Sequence, residues 1–575
     1  QNMSTLILLL GLISILGSIG FVTSFVIPPT SNNSNNQNRH WVPNEQQQYQ
    51  WKTSELHFGE GWFGRGGGDG MKKKDDIVRF IPISSNDNNE NDVIDKSPKE
   101  GYVTPMTRDG NTKEEREVIL DVQSSREDIY DGPETDFDVI VVGGGCAGIG
   151  MSLMLSRNFG LDYDRVLIVE QSSQVGESFR RWPKEMKFIS PSFNQQGWTN
   201  SFDLNAIHYD TSPAFLLRSE HPTGEEYAIY LEAIVEQAQL NIRFDTKVTS
   251  ITPLENNNNN DKPYPGPFQV DLSNNVSLSG KTETLSSRYV VWAAGEFQYP
   301  NEKKPIEKDS SNNDDDSAMF PGAELCLHNS RIASYAELPG DDFVVIGGYE
   351  SGVDAAYNLA KAGKKSKVLA STPCWSIKTG DPSTELAPYT ASRLRDVLSN
   401  DFSPKPQLLS PIRVIAVDKE IDGNGGYHVA AKWKALDEDQ ISDVYGINMK
   451  KPGETDSILV VTTPQPPILC NGFEGSVAAQ ASHLFDFPDA EQKKKGCIGN
   501  GPSLTLDDES TKIPGIFLVG PSVTHGELSF CFVYKFRQRF AVVANNICQG
   551  LGRNTNQAVA ECRRTNMYLD DFDTC

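Results

Sequence analysis

Apolar and polar positions along this chain repeat one arrangement twice. Residues 136–148 read Asp-Phe-Asp-Val-Ile-Val-Val-Gly-Gly-Gly-Cys-Ala-Gly, an apolar run that opens on acids and closes on glycines. A short continuous apolar run of this kind reads as a buried strand. An amphipathic stretch follows to Gly160, and a second apolar strand, 165–170, ends on Glu170. The arrangement returns at 342–352, Asp-Phe-Val-Val-Ile-Gly-Gly-Tyr-Glu-Ser-Gly, with a helix to Gly363 and a strand at 367–370. Elsewhere Tyr227, Tyr230, Leu231, Ile234 and Ala238 recur at helical spacing and predict a helix over 224–240. Strands are predicted at 241–254, 268–272 and 288–293, with the Asn-rich run 256–260 as a surface insertion. The strand 457–464, with 468–472 behind it, mirrors the one that ends at Gly295. Residues 515–521 form a last strand, leading to a helix striped with Val533, Phe536, Phe540, Val543 and Ile547 that stops at the Gly550/Gly552 pair.

A strand that turns through glycines into a helix is the cradle of a dinucleotide. Gly143 permits the tight turn, Gly145 lets the backbone approach a pyrophosphate, Gly148 lets helix and strand pack closely, and the helix N-terminus faces the negative charge. Glu170 lies about 20 residues on, where a carboxylate accepts ribose hydroxyls. The second copy is imperfect. With Gly347 first and Gly352 third, Tyr349 takes the central glycine's place, where its side chain would obstruct the pyrophosphate. Its second strand ends on Ser371-Thr372 with no acid, and Lys378 follows, which suits a 2′-phosphate and so NADPH over NADH. The expected fold class is α/β, with two Rossmann-like three-layer dinucleotide-binding domains, the second, NAD(P)-type domain (340–472) inserted in the first (134–339 and 473–553).

Composition limits the partners. A formal net charge of −24 argues against nucleic acid, whose phosphates need clustered Lys and Arg. Nine cysteines include no Cys-x-x-Cys pair, which speaks against a zinc site, a disulfide framework or a redox dithiol, and no metal is expected. Residues 1–27 hold a charge-free apolar run closing on Val22-Thr-Ser24, small residues that suit a cleaved signal, so the chain is expected to enter the secretory pathway. Left uncleaved, the run is long enough to anchor in a membrane. Phe25 directly after the cleavage point resembles the bipartite presequence of algal secondary plastids. Residues 28–133 turn to Asn, Gln, Gly and Lys and read as a disordered polar linker, with Trp41, Trp51 and Trp62 open to a docking role. Residues 554–575 read as a polar, loosely held tail.

Candidate side chains for chemistry come from the loops. The segment 176–193 mixes polar and aromatic residues without a period, and its Ser178 and Trp182 suit a planar cofactor. His525 and Tyr534 flank the start of the last helix and are the polar groups expected nearest the reaction. The stretches 191–222 and 383–410 carry no readable period and are expected to shape a small-molecule pocket.

Taken together, GGGCAG with Glu170, the turn Trp292-Ala-Ala-Gly295-x4-Pro300, GGYESG and GIFLVGP resemble the two-dinucleotide-domain flavoproteins, which include flavin-containing monooxygenases and thioredoxin-reductase-like enzymes. RRWPKEMKFISPSF, SGVDAA, DPSTELAPYT and FCFVYKFRQRFAVVA are similar to segments of the bacterial-type NAD(P)/FAD-dependent oxidoreductases. The resemblance implies FAD on Gly143, Gly145, Gly148, Glu170, Ser178, Val248 and Gly295, and NADPH on Gly347, Ser351 and Gly352. Trp182, Ser371 and Gly520 join that cofactor set on position. It further implies electrons passing from NADPH through FAD to molecular oxygen, with one oxygen atom inserted into a small organic substrate. Two departures stand out. Pro521 replaces the Asp expected after the late glycine, and the monooxygenase fingerprint survives only as Phe320-Pro-Gly322 with His328 two residues late. Two alternatives stay open: a disulfide or quinone reductase using a lone thiol such as Cys146 or Cys374, and a non-enzymatic flavin-binding or sensing protein whose NAD(P) site Tyr349 has disabled.

Overall fold

The computed structural model describes residues 134–193, 202–254, 266–274, 282–301, 319–376, 385–399, 404–419, 425–433, 458–488, 501–526 and 528–572. The predicted signal, the linker and Lys378 lie outside the described residues. Strand β1 (Phe137–Val142) turns through the glycines into helix α1 (Cys146–Leu153), which ends through a wider π turn, Met154–Asn158, before Gly160. Strand β2 (Val166–Val169), helix α2 (Glu177–Arg180) and helix α3 (Gly224–Ala238) follow. Thr223 and Glu226 close a reciprocal capping box that fixes where α3 begins.

The strand predicted over 241–254 is two strands, β3 (Ile242–Arg243) and β4 (Thr246–Pro253). Between them Asp245 takes φ +51, and Asp245 and Thr246 donate their N–H groups to the carbonyls of Ser172 and Glu170. Strands β5 (Phe268–Asn274) and β6 (Thr282–Trp292) complete an antiparallel meander with β4. The sheet order is β3-β2-β1-β6-β5-β4, with β1, β2, β3 and β6 parallel.

The chain then leaves this sheet for the second unit. Strands β7 (Leu327–His328), β8 (Asp342–Ile346), β9 (Lys365–Leu369) and β10 (Gln407–Leu409) surround helices α4 (Glu350–Lys361) and α5 (Pro388–Ser399). Strands β11 (Ile412–Lys419), β12 (Tyr427–Trp433) and β13 (Ile458–Thr463) form a separate antiparallel sheet. Strand β14 (Ile468–Leu469) enters the parallel sheet β10-β9-β8-β14-β7. In the first unit one 11-residue strand, β6, serves both meander and parallel sheet. In the second, Pro464, Pro466 and Pro467 separate those jobs into β13 and β14, because proline cannot continue a ladder.

After helix α6 (Ser476–Gln480), strand β15 (Ile516–Leu518) rejoins the first sheet beside the C-terminal half of β6, so the second unit is inserted in the first. Helix α7 (Val533–Gly550) packs against α1, and its striped residues Val533, Phe536, Phe540, Val543 and Ile547 are all buried.

Two expectations are corrected. The stretch 383–410 is not irregular throughout, because it holds α5 and β10. Two of the four residues α5 buries are Thr390 and Arg393, so its inner face carries no apolar period. The tail is not loose either. Helix α8 (Asn556–Arg564) fully buries Cys562, Met567 follows it into the core, and the Arg539 guanidinium donates to the Leu569 carbonyl. Two buried apolar residues in such a polar stretch are too few to read as an amphipathic stripe.

Candidate cofactor site

The N-terminal end of α1 opens on a cavity of about 380 Å³, within the usual range for ligand pockets of roughly 300–1,000 Å³. Gly143 (φ +111) donates its N–H to the Val169 carbonyl at 2.9 Å, locking the turn between β1 and β2. A Cβ on Gly148 would sit 1.9 Å from the Gly143 carbonyl oxygen, so only glycine lets helix and strand close together. A Cβ on Gly145 would meet nothing within 4 Å. That open space lies against backbone N–H groups at a helix start with no acid in its first turn, which is what a pyrophosphate requires. The first cradle fits FAD.

Glu170 is buried at the cavity wall. Its Oε2 accepts the Gly144 N–H at 2.6 Å and its Oε1 the Ser172 N–H at 2.8 Å, so the carboxylate is held rigidly, with lone pairs to spare for ribose hydroxyls. Ser178 accepts from the Gln298 amide at 3.0 Å. Trp182 sits among Phe179, Phe188 and Phe297, with ring centroids 5.0–6.0 Å apart, and this aromatic wall continues from Phe297 to Phe473. Gly143, Gly145, Glu170, Ser178, Trp182, Val248, Gly295 and Ser351 all line the cavity. Gly520 stands behind it, where an added Cβ would lie 3.3 Å from that of Ala147, while its neighbour Pro521 reaches the lining.

The second cradle keeps the turn but not the space. Gly347 has φ +105, and a Cβ on Gly352 would lie 1.9 Å from the Gly347 carbonyl oxygen, as in the first copy. A Cβ on Gly348 would press on Ala370 and the Trp375 ring at 2.4 and 2.6 Å. The Tyr349 hydroxyl is drawn to the Glu385 carbonyl at 3.1 Å, and its ring packs on the second core. At the first position of α4 stands Glu350, which accepts the Ala387 N–H and the Thr390 hydroxyl at 2.5 Å each. Burial pushes this carboxyl up, and those two hydrogen bonds pull it back. A side-chain carboxylate thus occupies the helix end that the first copy leaves open to an anion. Gly347, Gly352 and the exposed Ser371 lie away from the cavity lining, but Glu350, Ser351 and Asp354 reach it.

His525 and Tyr534 are not among the residues that line the cavity. His525 Nε2 is 2.5 Å from Asp508 Oδ1, and Asp508 also accepts from Arg539 Nε at 2.9 Å. The ring of His525 stacks on Phe572 of the packed tail. Tyr534 stacks on Phe532, and burial pushes its phenol up. In their place the structure brings Glu296, Phe473 and Cys531 to the lining. Glu296 stands directly after Gly295 in the turn already singled out, so the motif carried it unread.

The cysteines bear on a thiol mechanism. Burial pushes Cys146 up to about 12, and raises Cys531 and Cys470 as well. These thiols stay protonated near neutrality and are poor nucleophiles. His328 of the degenerate fingerprint is buried beside the crossover between the two units, its Nε2–H donating to the Gly472 carbonyl at 3.1 Å. Among the described residues no group of three or more His, Cys, Asp or Glu could hold a metal ion, and no helix is long and apolar enough to cross a membrane.

Two nested strand–turn–helix units sharing one cavity define a two-dinucleotide oxidoreductase fold. The profile of the pyridine nucleotide-disulphide oxidoreductases matches residues 140–438, just over half of the chain. The chain belongs to that family, whose cofactors are FAD and NADPH.

It is 25% identical over 232 residues to the uncharacterized oxidoreductase CzcO of Bacillus velezensis, covering 39% of this chain and 52% of that protein. It is 24% identical over 240 residues to the probable indole-3-pyruvate monooxygenase YUCCA10 of Arabidopsis thaliana, covering 41% and 52%. The chain thus spans about half the length of the curated relatives it matches. Among solved structures, the Kutzneria sp. 744 ornithine N-hydroxylase KtzI, with reduced FAD, NADP+ and L-ornithine, has a similar fold. The TM-score is 0.51 at 14% identity, over 72% of this chain and 99% of that one.

Proposed function

We propose that this protein is an NADPH-driven flavin monooxygenase acting on a small organic molecule. The observation that carries the reading is the single cavity onto which both Gly145 of the FAD cradle and Ser351 of the second helix open. Bound FAD would take electrons from the nicotinamide and pass them to oxygen. The chain's part is to hold and shield. Gly143 and Gly145 would seat the pyrophosphate at the helix start that Gly148 lets pack against the strand, Glu170 the ribose, and Ser178 and Trp182 the ring end, while Phe188, Phe297, Phe473 and Phe532 keep water out. The similarity to a probable monooxygenase supports this direction. The absence of a Cys-x-x-Cys pair and the raised thiols weigh against a disulfide reductase. The apolar run near the N-terminus supports passage into the secretory pathway, with the plastid as a further destination.

A second reading rests on Glu350, Tyr349 and Trp375. With these at the second cradle, the protein would hold flavin yet take nicotinamide poorly, serving as a binding or sensing module or drawing on another donor. An anaerobic NADPH titration of the FAD-loaded chain separates the two. Rapid bleaching of the flavin band, followed by substrate-dependent oxygen uptake, is the expected result. A flavin that dithionite bleaches but NADPH does not would overturn the NADPH-driven reading in favour of the second.

A further inference from the structure

The cavity wall carries one carboxyl with an oxygen that no described protein donor takes. The others are committed to protein partners. Glu170 accepts two backbone N–H groups, Glu177 accepts from Arg181 and Gln174, Glu350 from Ala387 and Thr390, and Asp354 from Arg393 and Asn358. Glu296 differs. It follows Gly295 in the turn after β6, and its Oε1 accepts the Ser522 hydroxyl at 2.8 Å, while its Oε2 has no hydrogen-bond partner among the described residues. Ser522 itself follows Pro521 in the turn after β15, so two turns that flank the flavin cradle meet at this one carboxyl.

With Oε1 held by a donor, Oε2 is the oxygen left to carry a proton. Burial pushes this carboxyl up from the ordinary range, opposed by the Ser522 hydrogen bond. Cys531, just before α7, is a titratable group that feels the Glu296 charge. Burial pushes the Cys531 thiol up, with the Glu296 charge adding to the rise and Lys535 opposing it.

We propose that Glu296, held by Ser522, is the proton-transfer residue of this cavity, supplying the proton consumed when flavin electrons pass to oxygen. The inference rests on the flavin reading above. Its balance is simple. The reduced anionic flavin gives up two electrons and one proton, Glu296 Oε2 gives the second proton, and oxygen leaves as hydrogen peroxide. With an oxidisable substrate present, the same electrons and protons yield water and one inserted oxygen atom. Glu296 then regains its proton from water.

The test uses the full FAD-loaded chain, reduced in separate arms by NADPH and by dithionite, then mixed with oxygenated buffer across pH 6–9. Glu296→Gln is expected to slow flavin reoxidation on the order of a hundredfold, as loss of a general acid does, with FAD content and dithionite reduction unchanged. Glu296→Asp should keep the wild-type pH profile at an intermediate rate. Independently of turnover, the reduced-minus-oxidised infrared difference spectrum of the wild type should contain a protonated-carboxyl band that Glu296→Gln lacks. A Glu296→Gln protein with the wild-type rate and profile overturns the proposal. So does a wild-type spectrum with no carboxyl band, which decides the matter even if the variant cannot hold FAD. Failure of NADPH alone to reduce the flavin counts against the proposed electron source and leaves the dithionite arm to judge Glu296.

Discussion

Gly145 and Gly148 stand three residues apart in one motif, yet an added methyl group meets opposite surroundings at each. At Gly145 the backbone is extended (φ −89, ψ −172) and the new Cβ faces open space. Alanine there is compatible with the fold, and the loss of unfolded-chain freedom should stabilise the flavin-free protein by about 0.5 kcal/mol. The same methyl fills the space a pyrophosphate would need. Losing one or two charge-assisted hydrogen bonds, each roughly 1.5–3 kcal/mol, should weaken FAD binding on the order of 10- to 1,000-fold. At Gly148 the methyl would lie 1.9 Å from a backbone carbonyl, so the helix must move off the strand. That overpacking should cost about 3 kcal/mol of stability whether or not FAD is present. Urea unfolding of the flavin-free proteins and fluorescence titration with FAD measure the two effects separately. Equal destabilisation by both substitutions, or tight FAD binding by Gly145→Ala, would refute the reasoning.

Four more outcomes follow from the same geometry. Glu350→Gln removes a carboxylate from the start of α4, where an anion competes for the helix end, and should tighten NADPH binding about tenfold by titration. Tyr349→Gly alone should do less, because the Tyr349 hydroxyl is already tied to Glu385; a larger effect from Tyr349→Gly would place the obstruction there. Arg539→Met leaves the fully buried Asp508 carboxylate without its guanidinium, which should cost about 3–5 kcal/mol in urea unfolding. Around Asp210 burial raises the carboxyl, but His208 and Arg157 outweigh it and hold it at about 2. This stability is present above an unfolded pKa of about 4 and lost as pH falls from there toward 2. The gap between wild type and Asp210→Asn, about 2 kcal/mol near neutrality, should therefore narrow in melts from pH 4 downward and close near pH 2.

Much of the parallel framework was legible because it is written locally. Each strand–turn–helix unit occupies a single stretch, with apolar runs for strands and glycines where φ is positive or two backbones nearly touch. What stayed hidden depends on partners distant in sequence. Glu296 meets Ser522 across 226 residues, and Arg537, inside the apolar-striped helix, donates to the carbonyls of Phe202, Asp203 and Ala206 more than 330 residues earlier. His525 stands near the start of the last helix in sequence, but only the fold shows its ring paired with Asp508, which Arg539 also engages, and stacked on Phe572.

The two units also show why a shared motif does not secure a shared function. Both keep the first and third glycines, and both third glycines would place a Cβ 1.9 Å from the turn carbonyl, so the selective demand at those positions is the fold itself. The difference lies at the middle glycine and the first helical residue, Gly145 and Cys146 in one copy, Tyr349 and Glu350 in the other. Neither replacement disturbs the turn, since Gly347 and Gly352 keep their geometry around Tyr349 and Glu350. Both act on what an incoming phosphate would meet: a side chain beside its path and a negative charge at its seat. Glycine spacing therefore reports the strand–turn–helix fold in both units, whereas the residues between the glycines set the affinity. On that argument FAD should bind the first unit far more tightly than NADPH binds the second, with Glu350 as the larger single barrier.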